Sequence, residues 1–196
     1  MPRPATDKRQ RLVMAAIDQF HRHGYARTSL SDVAQAAGIS PGNVFYYFKA
    51  KDDLALAVID EWCALLSGYL ADMEIEKNAW KRITGFINQA RQMRDVYATL
   101  GCPLAGLTRD LRQESNALKD QAARIYATQF RWLGKEFRRG GVKPAMATRL
   151  SHSLMAAYHG AILLAFAQGD ASLIDAEVKR LRAWLRDCKK ATMRKT

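Results

Sequence analysis

A chain of 196 residues, 48% of them hydrophobic, can bury a core and divide into a small unit and a larger one, which excludes a disordered or fibrous polymer. Thirty-one Lys+Arg against 19 Asp+Glu give a formal charge of +12, which suits a polyanionic partner. The longest uninterrupted apolar run, Gly160 to Ala167, falls short of the ~18 residues of a membrane span, and the charged start MPRPATDKRQR lacks a signal-peptide stretch, so a cytoplasmic protein with no membrane partner is expected.

In chain order, Val13, Ile17 and Phe20 recur at helical steps and predict a first helix over Lys8–His23, stopped by Gly24. Ser29 and Asp32 form an S-x-x-D capping box for a short second helix, with Val33, Ala36 and Ala37 inward and Gly38 at its end. A third helix follows from Ser40 as N-cap and Pro41 at the first helical position. Its apolar set is Val44, Phe45 and Phe48, which leaves Asn43, Tyr46 and Tyr47 outward. A fourth helix runs from Lys51 to Asp72 through Leu54, Val58, Trp62 and Leu65, with Asp52 and Asp53 at its positive end.

Amphipathic stretches follow over 78–98, after Gly101-Cys102-Pro103, over 115–139, and from Pro144 to Gln168. Ser172 and Asp175 form a second S-x-x-D box, opening a last helix to Cys188, and the basic tail 189–196 is expected to fray. No strand pattern is present. The fold class read from these periods is all-α, with about nine helices.

Cys63, Cys102 and Cys188 are widely spaced and make no CxxC pair, while His21 and His23 point to different helix faces; no disulfide, metal site or cofactor is expected. No nucleophile–base pair or phosphate loop suggests an enzyme. In contrast, two short helices joined by Ala37-Gly38-Ile39-Ser40 suit a helix-turn-helix, whose second helix enters the DNA major groove. Arg3, Lys8, Arg9, Arg11, Arg22, Arg27, Lys49 and Lys51 surround it, opposed by Asp7, Asp18 and Asp32. Asn43 can pair with an adenine edge, tyrosine hydroxyls can reach phosphates or bases, Gly42 permits close approach, and Lys49 and Lys51 sit beside the backbone.

The segment GYARTSLSDVAQAAGISPGNVFYYFKAKDDL, Gly24 to Leu54, resembles the DNA-binding signature of the tetracycline-repressor (TetR) family. The similarity reaches back to about Lys8 and forward to about Trp62, and its most specific part is Gly38-Ile39-Ser40, Gly42, Tyr47-Phe48 and Lys51. The resemblance implies that Gly42, Asn43 and Tyr47 meet the operator and that Tyr46 and Lys51 hold phosphates. Thr28, Ser29 and Ser31 would bind phosphate at the start of the second helix. The chain departs from the family pattern at Ser31, where a longer polar residue is common, and at Ala50, where a missing cap costs about 1 kcal/mol.

The resemblance also implies a DNA-binding domain over 1–51 and an effector-binding and dimerisation domain over 52–188. The last two long helices would form the homodimer through Ala156, Ala157, Gly160, Leu163, Leu164 and Ala167, with burial inside the chain's own core as the alternative. Trp62, Trp80, Phe86, Met93, Tyr97, Tyr126, Phe130, Tyr158 and His159 are candidate pocket residues, with simple core packing as the other reading. No acidic cluster calls for a cation, so a small apolar or electrophilic effector is expected. Cys102 precedes Pro103 as the N-cap of a short helix, where the dipole favours a thiolate. The run GCPLAGLTRDL resembles a Gly-Cys subgroup in which some members sense electrophiles or oxidants; inert packing at a turn is the alternative. The expected function is a ligand- or redox-responsive repressor that releases a palindromic double-stranded DNA operator, with a sequence-neutral architectural DNA binder as the rival.

Overall fold

The computed structural model describes residues 5–194, so Arg3 and the last two residues of the basic tail lie outside it. The described residues form α1 Ala5–His23, α2 Leu30–Ala36, α3 Pro41–Tyr47 and α4 Lys51–Asp72, then a 3-10 turn over Met73–Ile75. There follow α5 Ala79–Gln92, α6 Arg94–Leu100, α7 Pro103–Glu114, α8 Ala123–Arg139, α9 Pro144–Gln168 and α10 Ser172–Met193. The chain is all-α.

Four expectations from the sequence need correction. The 78–98 stretch is two helices, broken where Met93 takes φ −102° and ψ 7°. Residues 115–122 form turns and α8 starts at Ala123, because Ser115 Oγ accepts the Leu118 amide at 3.2 Å and offers the backbone an alternative to helix. Ser172 does not cap the last helix: it lies inside α10, its amide donates to Asp170 Oδ1 at 2.9 Å, and Asp175 pairs instead with Arg91 and Arg94. The tail is helical as far as Met193, where Thr192 donates to Cys188 O at 2.9 Å and its methyl packs beside Gly141.

By contact the chain forms two compact units, one of Met1–Leu65 with Pro103–Ile125 and one of Leu66–Cys102 with Tyr126–Thr196. The first is centred on Leu12, Ala16, Val33, Val44, Leu54, Val58, Ile59, Leu111 and Ile125. Leu54, Ala55, Val58 and Ile59 are fully buried, so the packing of the DNA-reading unit runs on past Lys51 into α4.

The second unit packs Ile83, Phe86 and Ile87 of α5 with Leu133 and Phe137 of α8, Leu154 and Ile162 of α9, and Ile174, Val178 and Leu181 of α10. Within it Arg82 Nε donates to Glu136 Oε2 at 2.6 Å, and Arg139 Nη1 donates to Glu136 Oε1 at 2.8 Å. Arg82 is 7% exposed and Glu136 is 0% exposed, so this ion pair is taken out of water. Close by, Trp80 Nε1 donates to Gly140 O at 3.2 Å, and a β-carbon on Gly140 would stand 2.9 Å from the indole.

Lys51–Ile75 and Pro144–Gln168 contain 18-residue windows of mean hydropathy 1.5 and 1.3, apolar enough by length and composition to cross a membrane. Counting uninterrupted runs missed both, because small and polar residues interrupt them. Helix α9 nonetheless supplies Ala147, Leu154, Met155, Tyr158, Ile162 and Ala165 to a protein core, while only 33% of its window is buried within the chain.

Candidate nucleic-acid interface

The second helix is fixed at its start by a reciprocal pair. Ser29 Oγ accepts the Asp32 amide at 3.1 Å, and Asp32 Oδ2 accepts the Ser29 amide at 2.8 Å. The Ser29 hydroxyl also donates to Asp32 Oδ2 at 2.7 Å, and this bond first, then the one from the Ser29 amide, holds the Asp32 carboxyl below the usual carboxylate range. Val33 and Ala34 are the buried pair of α2, whereas Ala36, expected inward, is exposed; a seven-residue helix buries adjacent positions as readily as spaced ones. The turn then reverses at Gly38, with φ +63°, and the Ile39 amide donates to Ala34 O at 2.8 Å. Arg11 Nη2 donates to Ala37 O and clamps this turn from α1.

Pro41 opens α3 as expected, but Ser40 makes no side-chain cap bond. Val44 is fully buried and Phe48 is 2% exposed, lying beneath the Arg9 guanidinium at 5.2 Å. Phe45, expected inward with them, is 49% exposed. It sits ~100° round the helix from Val44, and the two anchors four residues apart already define the buried side. Gly42, Asn43 and Tyr46 occupy the outward side, with Tyr46 at 74% exposure; Tyr47 is half-buried and meets the Tyr46 ring edge-on at 4.9 Å.

Ser29 and Ser31 are exposed at the start of α2. Thr28 is not: it is 2% exposed, and its hydroxyl donates to Gly24 O at 2.8 Å, so it braces the α1–α2 connection. Lys49 is exposed, with Nζ donating to Phe45 O at 2.9 Å. Lys51 is half-buried; its Nζ donates to Tyr25 O at 3.0 Å and Ala26 O at 3.2 Å and lies 4.3 Å from the Tyr25 ring centre. The cap missing at Ala50 is supplied by Asp53, whose Oδ2 accepts the Lys49 and Ala50 amides at 3.1 and 2.9 Å. Between the end of α1 and α2 lies an open cleft of about 570 Å³ whose lining includes Gln19, Arg22, His23, Arg27, Asp32 and Gln35.

A second set of supports comes from distant sequence. The buried Tyr25 amide donates to Asp110 Oδ2 of α7 at 2.9 Å. The Tyr25 hydroxyl donates to Asp52 Oδ1, and Ser115 Oγ donates to Asp52 Oδ2 at 2.7 Å. Burial first, then Asp52, pushes the Tyr25 hydroxyl pKa up. Gly24 has φ +82°, and a β-carbon there would approach Asp110 to 3.1 Å. Asp110→Ala leaves the Tyr25 amide unsatisfied, and we expect a loss of about 1–3 kcal/mol in denaturant unfolding together with weaker DNA binding. Asp110→Asn keeps an acceptor and should lose less; equal losses in both would contradict the role.

Of the pocket candidates, Trp62 falls in the first unit. The second gathers several of the others. Phe86 packs on Tyr158 at 5.3 Å and on Trp132 at 5.8 Å, and His159 stands edge-on to Tyr126 at 5.1 Å and Tyr158 at 5.3 Å. The Tyr158 hydroxyl bonds Tyr97, and Tyr126 bonds the half-buried Cys102 immediately before α7. Burial is the main cause that pushes Tyr97 up to about 12. The His159 imidazole is pushed down to about 4 by burial, and neither ring nitrogen has a partner. Tyr69 donates to Gln89 Oε1 at 3.0 Å. Trp80 instead braces Gly140, Phe130 meets His152 at 5.0 Å, and Met93 marks the α5–α6 joint. On α9, Ala156, Leu163, Leu164 and Ala167 are exposed, and Ala157 and Gly160 are half-buried.

Residues 12–58 match the family model of bacterial regulatory proteins of the tetR family, and residues 79–179 match that of the LmrA/YxaF-like transcriptional regulator C-terminal domain. The HTH-type transcriptional regulator RutR of Escherichia coli is 35% identical over 74 residues, which are 36% of this chain and 35% of RutR. The probable acrEF/envCD operon repressor of the same organism is 40% identical over 50 residues, 26% of this chain and 23% of the repressor. The chain thus aligns with about a third or less of these relatives' lengths. The crystal structure of a TetR transcriptional regulator from Legionella pneumophila shares the fold, with TM-score 0.79 and 21% identity over 95% of this chain and 98% of that one. With a helix-turn-helix exposing one face of α3, and family models matched over residues 12–58 and 79–179, the chain belongs to the TetR family of DNA-binding transcriptional regulators and is not an enzyme.

Proposed function

We propose that the protein is a homodimeric repressor that holds a palindromic operator through two copies of α3 and releases it on taking up a small apolar or electrophilic effector. The observation that carries this reading is the outward face of α3, where Gly42, Asn43 and Tyr46 are exposed, as are Ser29 and Ser31 at the start of α2 and Lys49. Asn43 and Tyr47 read bases, and the serines, Tyr46 and the lysines hold phosphates. Dimerisation is supported by the exposed Leu163 and Leu164 of α9, 65% and 54% accessible, on a helix otherwise rich in core residues. The uncharged Tyr97–Tyr158–His159–Tyr126–Cys102 group suits an apolar effector, and Cys102 is the group an electrophile would meet. Such a protein works in the compartment that holds the DNA, the bacterial cytoplasm.

Half-sites about one helical turn apart, ~34–36 Å, make the fit sensitive to a small pivot of the recognition helices. The effector acts only through its differential affinity for the two arrangements. Helix α4 begins in the first unit and ends in the second, which suits it to carry that pivot.

The test is selection from random duplex DNA, followed by binding at several salt concentrations. We expect a palindromic site, base preference relaxed by about 1–3 kcal/mol at one position per half-site in Asn43→Ala, and a salt slope reduced by about one per half-site in Lys49→Ala. A specificity ratio near one, or equal losses on selected and random DNA in both variants, would instead support the architectural rival.

A further inference from the structure

The fold leaves half of the Phe45 ring in solvent, although Val44 and Phe48 on the same short helix are buried. The ring stands on the side of α3 between the buried anchors and the outermost residues. Its neighbours one turn away on that side are Gly42, with open space where a β-carbon would be, and Lys49, whose ammonium is tied to the Phe45 carbonyl at 2.9 Å. Tyr46, the most exposed of the α3 aromatics, is the next residue. This is the setting of a helix face turned toward a polyanion, yet one of its largest side chains is wholly apolar.

A phenylalanine has no donor or acceptor, so it cannot hold a phosphate or pair with the polar edge of a base. The major groove presents one apolar group that differs between base pairs, the C5-methyl of thymine. We infer that Phe45 is a specificity-determining residue that packs on the methyl group of one thymine in each half-site. This rests on the reading of the protein as an operator-binding dimer. Gly42 leaves the helix end open to the groove, and the Lys49 ammonium is held at the Phe45 carbonyl.

The experiment uses the full chain and the duplex selected from random DNA by the unaltered protein. Each thymine of the half-site is replaced in turn by deoxyuridine, which removes only the methyl group. One such replacement in a single half-site should weaken binding about fourfold, the change expected for one buried methylene-sized group, and the matching pair in both half-sites about fifteenfold. Phe45→Ala should bind the thymine and uracil duplexes equally at that position and keep its preferences elsewhere. Phe45→Leu should retain part of the difference, and thermal melts of both variants should match the parent, since the ring is half exposed. The inference is overturned if no thymine is sensitive, or if the sensitivity survives in Phe45→Ala. If the parent protein selects no palindrome at all, the operator reading fails and this one goes with it; a palindrome indifferent to methyl removal sinks the Phe45 role alone.

Discussion

Replacing Glu136 with alanine is expected to lower stability by about 3–5 kcal/mol, the largest loss we foresee for any single polar change. Glu136 is fully buried and accepts from both Arg82 and Arg139. Its removal leaves the Arg82 guanidinium, 7% exposed, without its carboxylate in a site largely shielded from water. The attraction within the pair is largely offset by the cost of taking both ions out of water, so the pair itself contributes little; the damage comes from breaking it on one side. The double variant Arg82→Met/Glu136→Leu should therefore recover most of the stability. Urea unfolding of the parent, Glu136→Ala and the double variant checks this. A loss under about 1 kcal/mol in the single variant would show that water already reaches the site, and a larger loss in the double would show that the pair itself is net stabilising; either overturns this account.

The second large effect is acid destabilisation through His159. Burial depresses this imidazole to about 4 in the folded protein, against 6.5 for an ordinary histidine. The unfolded chain thus takes up a proton near pH 6.5 while the folded one does not until about pH 4. Stability from the neutral ring is complete above the higher value and is lost as pH falls through the interval. The slope approaches about 1.4 kcal/mol per pH unit, or about 3 kcal/mol in all. The aromatic neighbours Tyr126 and Tyr158, their own pKa values raised by burial, stay protonated throughout, so they do not contribute to the slope. His159→Leu should flatten the plot of melting temperature against pH between 6.5 and 4.5. If the slope persists unchanged in that variant, another group is responsible.

The parts of the molecule that were legible in the sequence are those set by local chemistry. The Ser29–Asp32 box, Pro41, the Gly38 turn, and the Pro144 and Gly169 ends of α9 each lie within a few residues of the structure they determine. Phe45 was misread because Val44, Phe45 and Phe48 fit either side of so short a helix. Asp53, which supplies the cap absent at Ala50, was read only as a dipole partner. The supports of the reader escaped for a different reason. Arg11 acts 26 residues away on Ala37, Asp110 acts 85 away on Tyr25, and Ser115 acts 63 away on Asp52, and no periodicity reports such pairs. Thr28 matched a phosphate-binding signature, yet its hydroxyl is engaged inside the fold. Among the aromatics, residue type alone could not separate the Tyr97–Tyr158–His159–Tyr126 group from Trp80, whose indole is a structural brace.

The first compact unit is written in two pieces of sequence, Met1–Leu65 and Pro103–Ile125, and this bears on how such regulators can exchange parts. A recombination breakpoint at the α3–α4 junction would appear to move a whole DNA-reading head between relatives. It would also separate Tyr25 from Asp110 and leave Asp52 and Ser115 together in the recipient without the tyrosine they serve. A head that transfers intact must bring α7 and the turn after it. Across natural sequences, inheritance should therefore link these four positions more tightly than their distance along the gene suggests.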